Sequence, residues 1–186
     1  MNFWILTYTL ALSSLCVSFM RFDFNLYQKL VSFALIAIFI NLPFISDLSI
    51  VQWLDSILGQ PSLFLFFLAL SACFMIFFTP KETILPLRSK VFIAIFGAVV
   101  FLGNLNLLWG FDLFSLDFKS QLVVIFGILF FAFAIDIYLG ILYLLCLIAY
   151  ALGLKDNIFL YLIDVSVWLY ALVGIVLDCF EKRKRY

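Results

Sequence analysis

Histidine is absent from the 186 residues, and only 12% of them carry a charge. Without imidazole the chain cannot ligate haem through His, build a Ser-His pair or hold a His-dependent metal. Respiratory haem subunits and rhomboid-like proteases are therefore poor fits. Cys16, Cys73, Cys146 and Cys179 fall inside apolar stretches with no C-x-x-C pair. Neither a zinc site nor a disulfide framework is indicated, and free, buried, inert thiols are expected. No G-x-x-x-x-G-K-[ST] phosphate loop occurs, and no clustered acids stand ready for Mg²⁺. The last apolar segment lacks the lysine that would bind retinal. The expectation is a protein that is not an enzyme and takes no cofactor or metal.

What is present is hydrocarbon: 67% of the side chains are hydrophobic, 25 of them Phe. Ordinary soluble domains carry about a quarter charged residues and about 45–50% apolar ones. Such a composition excludes nucleic-acid binding, disorder and a secreted miniprotein, and it makes the lipid bilayer the first expected partner. Phe3 begins the apolar character without the positive lead of a signal peptide, no small-x-small cleavage site follows, and Leu15 is too large to precede a lipoprotein cysteine at Cys16. The first segment is expected to stay in place.

A helix needs about 20 apolar residues to cross about 30 Å of hydrocarbon. Seven stretches approach that length: 3–20, 30–45, 62–79, 91–109, 121–135, 137–154 and 158–177. Their apolar character is continuous and does not alternate, which excludes a transmembrane β-barrel and leaves helices, whose backbone groups pair within the segment. The predicted fold is all-α, a polytopic bundle of seven transmembrane spans in a single domain over 1–186, with six spans as the fallback.

The count turns on 121–154, where only Asp136 interrupts 34 residues. One helix of that length would extend about 51 Å, too far for one crossing. Split at Asp136, with the N-terminus outside, the chain places nine of its eleven Lys and Arg on the cytoplasmic side and leaves Lys119 and Lys155 outside. Left unsplit, the division is six against five. Cytoplasmic loops collect Lys and Arg, so seven spans with a cytoplasmic C-terminus is the expected topology.

Between the second and third spans, 46–60 sets Leu48, Val51, Leu54 and Leu58 at helical spacing among polar residues. An amphipathic helix lying on the membrane is predicted, capped by Ser46 or Asp47, with Pro61 opening the next helix and Trp53 as an interface anchor. Lacking Lys and Arg, it does not seek anionic headgroups. It reads as a connector that shields lipid tails, or as a docking surface for a partner or lipid substrate.

Ionisable groups inside a membrane are costly and are the first place to look for function. Asp164 alone lies well inside a span. With Asn157, Tyr161 and Trp168 it forms one helical stripe at spacings of four, three and four. Asn104, Asn106 and Asn41 offer polar partners at comparable depth, so a cluster of Asp164, Tyr161, Asn157, Asn104, Asn106 and Asn41 is the candidate site. It could line a solute or proton path, or simply hold the bundle together. Asp178 reads as a solvated partner of Lys182, and Gly127, Gly140, Gly153 and Gly174 as places for close helix packing.

The stretch from Asp156 to Tyr170, with Asn157, Tyr161 and Asp164 in an Asn-x-x-x-Tyr-x-x-Asp pattern, resembles a group of small multi-pass proteobacterial inner-membrane proteins. The likeness extends to Gly110, Phe111 and Asp112; the group follows its last Asp with Pro, where this chain has Val165. The resemblance implies a bacterial inner membrane and no activity. Two readings follow: a non-catalytic accessory or scaffold subunit of a cell-envelope enzyme or transport complex, working beside a membrane-protein partner or its own copies, or a small transporter or channel using Asp164.

Overall fold

Helices in this chain begin where a short polar side chain precedes an apolar run, because the first turn of any helix leaves backbone N–H groups without intrahelical acceptors. The computed structural model describes residues 3–20, 25–45, 47–78, 84–105, 107, 116–152 and 158–183. The protein is mostly helical, and the chain divides into two units: Met1–Pro61 with Leu65–Ile84, and Ser62–Phe64 with Leu85–Tyr186.

The first unit holds α1 (Phe3–Phe19), α2 (Leu26–Asn41), a hairpin of β1 (Pro43–Ile45) and β2 (Leu48–Ser49), α3 (Ile50–Leu58), and α4 (Leu63–Phe78) from Leu65 onward. α1 packs along α2, and α3 touches both. The hydroxyls of Thr7 and Ser14 donate to the carbonyls of Phe3 and Ala11 in their own helix, the usual recourse of a hydroxyl among apolar neighbours. Lys29 donates to the carbonyl of Ile76 at 3.1 Å, supplying a partner in the last turn of α4. Phe3 meets Phe66, and Phe33 meets Phe77, at ring distances of 5.4 and 5.7 Å.

Two expectations are corrected here. The second span, expected at 30–45, is helical over Leu26–Asn41 and then turns into β1. Pro43 accounts for the stop, since it disfavours helical geometry at Leu42, which is extended (φ −72°, ψ 142°). The interfacial helix, expected over 46–60, is confined to α3. Its cap is Ser49: the Ser49 hydroxyl accepts from the Gln52 N–H at 3.3 Å, and the Gln52 side chain accepts from the Ser49 N–H at 2.7 Å. Asp47 instead sits at φ 60° between the two strands, a conformation Asp adopts more readily than most residues. Gly59, at φ 77°, ends α3, and its carbonyl accepts from the Tyr8 hydroxyl at 2.7 Å.

The second unit holds Ser62–Phe64, α5 (Leu87–Asn104), α6 (Phe118–Ile135), α7 (Ile137–Ala151), α8 (Phe159–Leu162) and α9 (Val165–Arg183). α5 and α9 pack most extensively, with Lys90 beside Gly174 and Asp178 while Ala94 and Gly97 lie against Trp168. Rising numbers on one helix meet falling numbers on the other, so the pair is antiparallel. α6 and α7 pack on each other beside a one-residue break at Asp136, where the Phe133 ring lies over Gly140. Tyr143 of α7 is fully buried among Phe64, Phe92 and Phe96.

The last span, expected as unbroken helix over 158–177, is interrupted: α8 stops at Leu162, Ile163 is extended, and helix resumes at Val165. Among the described residues, Leu87–Asn104 is the one helix of at least 18 residues apolar enough to cross a membrane. The remaining apolar helices have 10–17 residues. Among the described residues, helix length and apolar character by themselves support one full crossing, so the seven expected are not shown.

The glycines separate two kinds of helix surface. A Cβ at Gly97 would stand 2.4 Å from Trp168 and 2.9 Å from Ile163, whereas one at Gly127 would meet nothing within 4 Å. Gly97→Ala is expected to destabilise by about 1–3 kcal/mol through overpacking, and Gly127→Ala to stabilise by up to about 1 kcal/mol through helix propensity. Opposite shifts in thermal unfolding of the purified protein would bear this out, and shifts of the same sign would contradict it.

Candidate functional site

Asp164 is the second of the two residues between the end of α8 and the start of α9 and is 9% exposed. Its Oδ1 accepts from the N–H of Val167 at 2.8 Å, and its main-chain carbonyl accepts from the N–H of Trp168 at 3.1 Å. This is the geometry of a helix N-cap. Its Oδ2 accepts from the N–H of Ser62, the residue that precedes α4. One buried carboxylate thereby serves amides at two helix starts, where the partial positive charge of each helix end favours an anion.

The remaining residues of the predicted cluster are distributed differently. The stripe through Asn157, Tyr161, Asp164 and Trp168 does not form one helical face, because the backbone is extended at Ile163. Tyr161 is fully buried in α8, its ring edge-on to Tyr150 at 5.4 Å. Trp168 faces α5, donating from Nε1 to the carbonyl of Ala94 at 3.0 Å. Asn104 is exposed in the last turn of α5. Asn41 belongs to the first unit, where its amide donates to Thr9 Oγ1 at 2.9 Å and to the carbonyl of Ala37 at 2.8 Å. Asn106 and Asn157 lie outside the described residues, as does the Gly110–Asp112 stretch.

Two charged pairs that the spacing did not reveal lie at the start of α5. Lys90 Nζ meets Asp178 Oδ2 at 2.8 Å, with the lysine side chain 9% exposed and its stem over Gly174. Asp178, read from the sequence as a solvated companion of Lys182, is instead the partner of a buried lysine. Arg88 stands 3.6 Å from Asp136, whose other oxygen accepts from the N–H of Leu139 and caps α7. The signal available in the sequence was Gly174, one turn from Asp178, which makes room for the lysine stem. All four cysteines are free. Among the described residues, no three of Cys, Asp and Glu come together as a metal site would require.

Compared with known proteins, the chain matches no family model, no curated protein and no solved structure.

The geometry of Asp164 is that of a joint. Asp164→Ala removes a cap and the carboxylate that accepts from the Ser62 N–H, an expected loss of about 2–4 kcal/mol. Asp164→Asn keeps one acceptor oxygen and is expected to lose about half as much. Equal stability of both variants and the parent in denaturant unfolding would show that the carboxylate is not holding these helix starts.

Proposed function

We propose that the chain is a multi-pass helical membrane protein without a catalytic centre, an accessory or scaffold subunit of a cell-envelope enzyme or transport complex in a bacterial inner membrane. The observation that carries the reading is the apolar side chains turned outward from long helices. On α6, Val123 and Phe130 are 73% and 70% exposed, with Phe126 and Phe131 beside them. α2 presents Leu35, Ile38 and Phe39, and α9 presents Val173, Val176 and Phe180. A soluble monomer rarely leaves so many large apolar side chains of successive helix turns in water. A bilayer, or a bilayer shared with a partner, covers it without cost.

Seven spans remain the topology that best divides the basic residues, with the N-terminus outside and the C-terminus cytoplasmic. The shorter helices are consistent with it: Ile137–Ala151 rises about 22 Å, and bilayer thinning with snorkelling of flanking side chains accommodates such a deficit at a modest cost. The break at Asp136 favours two segments over one. The arrangement of Asp164 supports the scaffold reading over the transporter, because both of its oxygens already accept from backbone amides. A transporter would require that carboxylate to exchange these donors for a solute or proton.

A reporter fused after Tyr186 is expected to read as cytoplasmic and one inserted at Asp112 as exterior; an exterior C-terminus removes the odd span count. Mild-detergent purification is expected to retain a partner in fixed ratio whose level falls when this chain is deleted. Solute or proton flux across vesicles containing the chain alone, abolished by Asp164→Asn with insertion unchanged, would replace the scaffold reading with the transporter.

A further inference from the structure

A hydroxyl on a helix among apolar neighbours ordinarily bonds back to the carbonyl four residues earlier, as those of Thr7 and Ser71 do. Ser89 does not. It is the third residue of α5, so the carbonyl four residues back, that of Leu85, lies ahead of the helix. The carbonyl three residues back, that of Pro86, already accepts from the N–H groups of Ser89 and Lys90 at 3.0 and 3.2 Å. Ser89 is fully buried, and its Oγ has no hydrogen-bond partner among the described residues. Leu85 is fully buried as well, and among the described residues no backbone N–H donates to its carbonyl.

A third such group lies across from these two, on α7. The Tyr143 ring stands 4.7 Å from that of Phe64 and 6.2 Å from those of Phe92 and Phe96, none of which offers a donor or an acceptor. Its buried hydroxyl has no partner among the described residues. α5 and α7 start at the same end, since Arg88 meets Asp136 there while Phe92 and Phe96 meet Tyr143 further along. Helical side chains lean toward the start of their helix, which carries the Tyr143 hydroxyl back toward the level of Ser89. Ser89 stands three residues before Phe92 and seven before Phe96, on the side of α5 that Tyr143 meets. α5 packs chiefly along α9, so toward α7 it is rings that fill the interval, and the two hydroxyls do not bond directly.

Polar groups withdrawn from solvent without partners cost stability, and a buried water ordinarily makes about three hydrogen bonds. On these grounds we propose that an ordered water is held between α5 and α7 by the Leu85 carbonyl and the hydroxyls of Ser89 and Tyr143. It donates to Leu85 and to one hydroxyl and accepts from the other, which either hydroxyl can supply. The start of α5 is thereby fastened to α7, as the start of α9 is fastened to the Ser62 amide by Asp164.

The test is thermal unfolding of the full chain carrying Ser89→Ala, Tyr143→Phe or both. Either single change is expected to lower the midpoint by about 2–4 °C. The double variant is expected to fall in the same range, because the second hydroxyl has nothing left to bond once the water is gone. Tyr138→Phe is the comparison: its hydroxyl is also buried without a partner among the described residues, and it interacts electrostatically with Tyr170 of α9. Five residues before Tyr143, it points about 140° away around α7, and its effect is expected to add to that of Ser89→Ala. Radiolytic labelling, in which a buried water itself supplies the hydroxyl radical, is expected to oxidise Tyr143 in the parent and several-fold less in Ser89→Ala. Single variants that raise the midpoint or leave it unchanged show the hydroxyls to be dry and overturn the site. So do losses that add in the double variant, coupling of Ser89 to Tyr138 as strong as to Tyr143, or a Tyr143 that escapes labelling in the parent.

Discussion

A helix can be interrupted in an apolar environment only if the backbone groups it releases find other partners. In a chain with so few polar side chains this constraint decides where breaks can fall. Asp136 and Asp164 show how it is met. Asp136 stands at a one-residue joint and Asp164 at a two-residue one, each accepts from the amide three residues on, and each turns its second oxygen to something outside its own helix: Arg88 for Asp136, the Ser62 amide for Asp164. These two acids are therefore positioned by the ends of helices, and the helices can end where they do because the acids are there.

The same constraint governs the first unit with uncharged side chains and one lysine. Ser49 and Gln52 exchange two hydrogen bonds at the start of α3, Gln28 accepts from the Asn25 N–H ahead of α2, and Lys29 reaches a carbonyl in the last turn of α4. The hydroxyls of Thr7 and Ser14 bond back to their own helix, and that of Thr9 accepts from Asn41. Among the described residues of this unit, the buried side-chain atoms left without a hydrogen-bond partner are Ser13 Oγ and Asp55 Oδ1.

Helices were legible wherever an apolar run was long, and the bend expected at Asp136 coincides with the observed break, because there two separate facts, segment length and the distribution of Lys and Arg, point to one residue. At Asp164 only one kind of signal was available. Tyr161 and Trp168 sit three before and four after it, a spacing that imitates a continuous helical face; a cap acts through backbone amides and leaves no mark in side-chain periodicity. Asn41 pairs with Thr9 across 32 residues, and Lys90 with Asp178 across 88. Spacing along one helix carries no information about such partners. The hairpin at Pro43–Ser49 was missed because its strands are too short for alternation to show, although Pro43 already forbade helix through Leu42.

The α5–α9 pair shows how a nearly featureless interface acquires a register. Apolar packing is non-directional, so an interface of Leu, Val and Phe alone fixes the alignment of two helices less sharply than polar contacts do. Two contacts do not tolerate a slide of one turn. The Lys90 stem needs the gap at Gly174 while its ammonium needs Asp178, and the Trp168 ring needs the gap at Gly97 while its Nε1 needs the carbonyl of Ala94. Lys90 and Gly97 are seven residues apart, Gly174 and Trp168 six, so the two contacts stand about 10 Å apart along both helices and close in the same alignment. A slide of one turn would strand a buried ammonium opposite an apolar residue, and an unpaired charge costs more than the pair itself returns. The ion pair therefore contributes less to stability than to excluding the neighbouring alignments, and Asp164, at the start of the same helix, inherits its position from that choice.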